Sequence, residues 1–216
     1  IQQSQLRGKP QWMYVGGGTP NTLTIPQLEV LVNEVRKQVD PGRLGIELLP
    51  ARVDEAYLRG LHSLGFGRIS MGVQTFDEEI ICKTGRTYGS ENGLESKVRL
   101  AQELGIWVNL DLMVGLAGQT AQRFYQDVEQ IIRLSPDQVA IYPIVNVKGV
   151  QYGFTPSMSS IDQYRCIERV GELMQQNDYH RSTAWIFSKA GGEVYDTSGS
   201  ELGTEYIGFG SGAYSV

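Results

Sequence analysis

The sequence predicts an α/β protein whose parallel strands form a partial TIM-like (βα)6 barrel. Three observations predict it. Short apolar stretches alternate with longer ones in which apolar residues recur at helical spacing. The connections between them are short and rich in Gly, Pro, Asp and Ser. The resulting order, β-α-β-α-β-α-β-α-β-α-β, returns each strand beside its predecessor through a helix, which calls for parallel strands and right-handed crossovers. A flavodoxin-like open sheet is the alternative, and it normally needs fewer units. Residues 1–216 read as one domain, with 157–216 as its closing helix, last strand and Gly-rich segment.

In chain order, Gln11 to Val15 alternates polar and apolar residues as a short strand does, and Gly16-Gly17-Gly18-Thr19-Pro20 follows it. Thr24 and Pro26 open a helix carrying Leu28, Leu31, Val32, Val35 and Val39, and Asp40-Pro41-Gly42 stops it. Leu44 to Leu49 is a strand ended by Pro50, and Val53 to Leu64 a helix closed by Gly65. Arg68 to Gln74 is a strand, followed by helical sequence from Asp77. Ser90 or Asn92 starts a helix to Leu104, and Ile106 to Val114 is a strand. Thr120 opens a helix to Leu134 with Phe124, Val128, Ile131 and Ile132 at core spacing. Gln138 to Val145 is a strand, Ser159 or Ser160 starts a helix to about Gln175, and His180 to Phe187 is the last strand.

Composition narrows the class. Hydrophobic residues at 41% and charged residues at 20% describe a soluble globular chain with material for a substantial core. No apolar run is long enough to span a membrane, so no membrane partner is expected. The net charge is 19 − 24 = −5, without a basic cluster, which removes the electrostatic footprint of a nucleic-acid partner. Two distant cysteines, Cys82 and Cys166, argue against a disulfide scaffold and fit a reducing cytoplasm; both fall in helical segments and read as buried small hydrophobes. The chain begins at Ile1 without signal-peptide character and reads as not starting where its gene does.

In parallel α/β folds the site lies at the C-terminal strand ends. There the sequence places Gly16 to Thr19, Glu47, Gln74, Asp111 and Asn146, with Arg86 on a loop beyond Gly85. Any one of these could be a helix cap or a salt-bridge partner. Consecutive strands each ending on a polar group point instead to a polar ligand, because buried carboxylates and amides need partners. Glycine lets such a ligand approach the backbone closely. Gly115 to Thr120 lacks GxGxxG spacing and reads as a strand-to-helix turn capped by Thr120. His62 and His180 read as surface or structural residues, and no Ser/His/Asp triad, HExxH or Walker motif occurs.

Several of these stretches, taken together, resemble one family. Tyr14-Val15-Gly16-Gly17-Gly18-Thr19-Pro20, Ile69-Ser70-Met71-Gly72-Val73-Gln74-Thr75-Phe76-Asp77 and Gly85-Arg86 resemble the radical S-adenosylmethionine (SAM) enzymes of the oxygen-independent coproporphyrinogen III oxidase-like class. Asn109 to Thr120 is similar to that family's NxDLxxGLPGQT segment, with Ala117 in place of proline, and Tyr206 to Ser215 is similar to its YLGxGxGAxS stretch. The resemblance implies that Gly17, Gly18, Thr19, Glu47, Gln74, Arg86 and Asp111 contact SAM. It also implies a 4Fe–4S cluster, an electron donor, and a 5′-deoxyadenosyl radical that abstracts hydrogen from a small organic substrate of the tetrapyrrole kind. The CxxxCxxC motif that would bind the cluster is absent, so its ligands and the first barrel strand are expected upstream of Ile1.

Glu47-Leu48-Leu49-Pro50 departs from the family's EANP-like run and suggests a side branch. Three alternatives stay open: a non-catalytic haem- or SAM-binding relative, a radical methyltransferase of the same scaffold, and an unrelated lyase using Glu47 and Asp111 as acid and base.

Overall fold

The computed structural model describes residues 10, 12–83, 91–144, 156–190, 207–210 and 213. Among the described residues, seven strands form one sheet in the order β1-β2-β3-β4-β5-β7-β6. They are β1 (Trp12–Val15), β2 (Arg43–Leu48), β3 (Phe66–Gln74), β4 (Trp107–Val114), β5 (Gln138–Pro143), β6 (Tyr179–Arg181) and β7 (Ile186–Lys189). Among the described residues, six α-helices accompany them: α1 (Ile25–Arg36), α2 (Glu55–Ser63), α3 (Glu78–Lys83), α4 (Glu91–Glu103), α5 (Ala121–Leu134) and α6 (Ser160–Gln175). β1 pairs with β2, and β2 with β3, in parallel. Among the described residues no helix is long and apolar enough to cross a membrane.

Two compact units divide the chain. The first comprises Ile1–Gly72 and Tyr88–Asn109, the second Val73–Thr87 and Leu110–Val216. In the first, α1 buries Leu28 and Val32, α2 buries Leu58 and Leu61, and α4 buries Leu94, Val98 and Ala101. Leu31, expected on the core face of α1, is exposed. α1 ends at Arg36, short of Val39, and Gly42 turns at φ 64° with its N–H donated to the Asp40 carboxylate. Asp54 caps α2 by accepting from the Tyr57 N–H at 2.7 Å. Asp54→Ala is expected to lower the unfolding free energy by about 1 kcal/mol in a urea titration, the usual cost of a lost N-cap. An unchanged midpoint would show that the cap contributes nothing.

In the second unit α5 buries Phe124, Val128 and Ile131, and α6 buries Cys166, Ile167, Val170 and Met174. Ser159 and Thr120 cap these helices, accepting from the N–H groups of Asp162 and Arg123. The single strand expected over His180 to Phe187 is instead a hairpin. β6 and β7 run antiparallel, and β7 also pairs antiparallel with β5. The chain reverses at Ser182–Trp185, where the Ser182 N–H reaches Ile186 O at 2.8 Å and the Arg181 guanidinium holds Ala184 O at 2.9 Å. No Gly or Pro punctuates that turn, which is why the stretch reads as continuous strand.

Candidate functional site

The glycine stretch leaves β1 in the first unit. Gly17 has φ +100°, in the left-handed region that disfavours a side chain, and a Cβ on Gly17 or Gly18 would meet nothing within 4 Å. The backbone there therefore borders open space. The Gly17 N–H donates to Glu47 Oε2 at 3.2 Å, and a Cβ on Gly16 would come to 3.3 Å from the same carboxyl group. Glu47 is half-buried on β2, in register with Ser70 on β3. Burial pushes its carboxyl pKa above the ordinary value, and the Gly17 hydrogen bond partly offsets that. Gly45, two residues earlier, faces Tyr14, and a Cβ there would lie 2.8 Å from the ring.

Buried Asn21 joins the loops after β1 and β2. Its amide nitrogen donates to Leu49 O, and its oxygen accepts from the Leu49 N–H, both at 3.0 Å. Thr19 closes the stretch, its hydroxyl donating to Gly18 O at 2.7 Å. Deeper in this unit Asn109 Nδ2 donates to Ser70 Oγ at 2.7 Å, and Arg68 is buried two residues from Ser70 on β3.

In the second unit Gln74 ends β3 at φ +71°, and the Thr75 N–H reaches back to Val73 O at 2.9 Å. This is a γ-turn in its rare, strained form. Asp111 lies two residues beyond Asn109 on β4 and so shares its face of the strand. Beside these strand ends sits Asp127 of α5, 2% exposed. Its carboxylate accepts from the Phe76 N–H at 2.7 Å, the Thr75 hydroxyl at 2.8 Å and Gln119 Nε2 at 3.1 Å. Burial pushes the Asp127 pKa up to about 6, hydrogen bonds from Phe76, Thr75 and Gln119 pull it down, and nearby Asp77 adds to the rise. Gln119 Oε1 in turn accepts from the N–H groups of Gly115 at 2.9 Å and Leu116 at 3.2 Å, which fixes the turn after β4.

Arg86 and Asn146 lie outside the described residues, as does most of Tyr206 to Ser215. Gly17, Gly18, Thr19 and Glu47 fall in the first unit, Gln74 and Asp111 in the second. A cleft of about 530 Å³ in the second unit is lined by Gly118, Thr120, Ser157, Asp162, Arg165 and Cys166 among others, and by none of the expected ligand contacts. His62 and His180 are exposed. Cys166 is buried as expected, whereas Cys82 is exposed on α3, where it faces away from the apolar side formed by Ile80 and Ile81. Among the described residues no three His, Cys, Asp or Glu side chains are grouped to hold a metal ion.

The sequence reading missed Asn21, Thr75, Gln119, Asp127 and Gln163. Two of them carry a signal. Asp127 falls among Phe124, Val128 and Ile131, and Gln163 among Cys166, Ile167 and Val170, each a polar residue at a core-facing helical position.

Known proteins place this arrangement in context. The chain is 28% identical to the heme chaperone HemW of Haemophilus influenzae, over 99% of this chain and 56% of that protein. It is 29% identical to the oxygen-independent coproporphyrinogen III oxidase of Helicobacter pylori, over 84% of this chain and 42% of that protein. The chain thus spans about half the length of the curated relatives it matches. The structure of coproporphyrinogen III oxidase (HemN) from Escherichia coli shares the fold, with a TM-score of 0.80 and 23% identity over 95% of this chain and 52% of that one. The model of the Radical SAM superfamily matches residues 7–131, more than half of the chain and every strand from β1 to β4, and the chain belongs to that superfamily.

Proposed function

We propose that this chain holds S-adenosylmethionine for a coproporphyrinogen III oxidase-like radical protein acting on a tetrapyrrole, with Gly17, Gly18, Thr19, Glu47, Gln74, Arg86 and Asp111 as its contacts. The observation that carries the reading is the half-buried Glu47 carboxylate bonded to Gly17 beside backbone open to solvent. SAM presents an ammonium and a carboxylate on one methionyl group. Glu47 and backbone carbonyls accept from the ammonium, backbone N–H groups donate to the carboxylate, and the absence of side chains at Gly17 and Gly18 lets both approach. Bound SAM is the source of the 5′-deoxyadenosyl group. The protein binds it, orients it and excludes water.

The residues present do not fit the 4Fe–4S cluster. Thiolates are its usual ligands, a CxxxCxxC site supplies three, and this chain has two distant cysteines, one exposed and one buried. We therefore assign the cluster to ligands other than this chain's two cysteines, and the reducing electron to a separate donor. Both cysteines are free, which fits the reducing cytoplasm where we place it.

Binding of SAM to the intact gene product tests the site. Gln74→Ala and Asp111→Ala are each expected to weaken affinity about tenfold without unfolding the protein, the worth of one hydrogen bond to a charged or polar ligand group. Unchanged affinity in both would remove the assignment.

A second reading, haem binding without radical turnover, draws on the relatives named heme chaperones, several of which match 94% or more of this chain. Reductant and SAM added to the intact gene product distinguish the two. Release of 5′-deoxyadenosine favours the enzyme, and haem uptake without it favours the carrier.

A further inference from the structure

We propose that Asp127 is the positioning residue of the SAM site, a buried clamp that holds Gln74 in its strained turn and ties it to the turn after β4. The proposal rests on the reading of Gln74 as a SAM contact. Its physical basis is local to the second unit. A non-glycine residue at φ +71° persists only where its surroundings over-determine it. The two residues after Gln74 supply that constraint, because both the Thr75 hydroxyl and the Phe76 N–H donate to Asp127. Thr75 is fully buried, and its hydroxyl also accepts from the Asp77 N–H at 3.1 Å, so the start of α3 is held by the same group.

The third donor comes from the neighbouring strand end. Gln119 Nε2 gives one hydrogen bond to Asp127 and one to Met113 O at 3.2 Å, while its oxygen takes the N–H groups of Gly115 and Leu116. One carboxylate thereby fixes the end of β3, which carries Gln74, against the turn that follows the adjacent β4. An acceptor with two oxygens is required. An amide at this position would turn its NH2 either toward the Phe76 N–H or toward both the Thr75 hydroxyl and Gln119 Nε2, which share the other oxygen. Asp127 is buried with both oxygens taken by these donors, so it acts through Gln74.

A double-mutant cycle on SAM affinity in the intact gene product tests this. Asp127→Asn is expected to weaken binding about tenfold in the wild-type background and less than about twofold in Gln74→Ala, because the clamp then has nothing left to aim. Backbone amide exchange at Phe76 is expected to speed up in Asp127→Asn whether or not SAM is present. Equal losses in both backgrounds, or no loss beside a weakened Gln74→Ala, would overturn the clamp. Unchanged affinity in Gln74→Ala would overturn the SAM reading at that residue, a separate failure. If Asp127→Asn does not fold, Thr75→Val removes one donor at nearly constant volume. The same dependence on Gln74 is expected from it, and additivity would overturn the proposal.

Discussion

Gly115→Val is expected to lower the unfolding free energy by about 3–5 kcal/mol, enough to unfold a marginal protein at ambient temperature. Gly115 follows β4 at φ +93°, where a β-branched side chain is strained by about 1–2 kcal/mol. A Cβ there would come within 2.6 Å of Gln163 Cδ and 2.8 Å of both its terminal atoms. Gln163 cannot swing away cheaply. It is 1% exposed, its oxygen accepts from the Ile144 N–H at 2.7 Å, and its nitrogen donates to Met158 O at 3.1 Å. Moving it gives up both hydrogen bonds, at about 0.5–1.5 kcal/mol each, and leaves the Ile144 N–H only its longer bond to Val114 O at 3.2 Å. Urea titration of wild type, Gly115→Ala and Gly115→Val should therefore give a graded series. A valine variant as stable as wild type would show that Gln163 relocates without loss.

Alternation of strand and helix is a property of local spacing, so β1 to β5 and the helices between them were legible, along with the caps at Thr120 and Ser159. The β6–β7 hairpin was not, because Ser182 to Trp185 makes its turn from residues that also suit a strand. Gly16 to Thr19 and Glu47 stand out in sequence as exceptions, glycines in a row and a carboxylate in an apolar run. Their hydrogen bond joins the loop after β1 to β2 and needs the fold to be seen. Asp127 and Gln119 belong to the same class. Gln119 is unremarkable in its own segment and Asp127 shows there only as a polar residue at a core-facing position, while contacts such as Thr75 to Asp127, 52 positions apart, need the fold to be seen.

Glu47→Gln is expected to weaken SAM binding about 30- to 100-fold, because it removes the charge that faces the ligand ammonium and keeps the shape. The pH dependence separates this from a general disturbance. Burial raises the Glu47 pKa in the unliganded fold, so the neutral carboxyl is favoured there more than in the unfolded chain. Its contribution to stability is consequently present at low pH and falls as pH rises from the ordinary carboxyl value through the raised one. Ligand binding runs the other way. An ammonium stabilises the ionised carboxylate, so SAM affinity should climb across that same window and level off above it. Isothermal titrations from acid to neutral pH should show this rise in wild type and a smaller one in Glu47→Gln, where the buried Asp127, its pKa pushed up to about 6, still titrates. A glutamine variant that keeps the wild-type rise would assign the titration to another group and remove Glu47 from the site. The two opposed slopes cannot both come from damage to the fold, since damage lowers stability and affinity together.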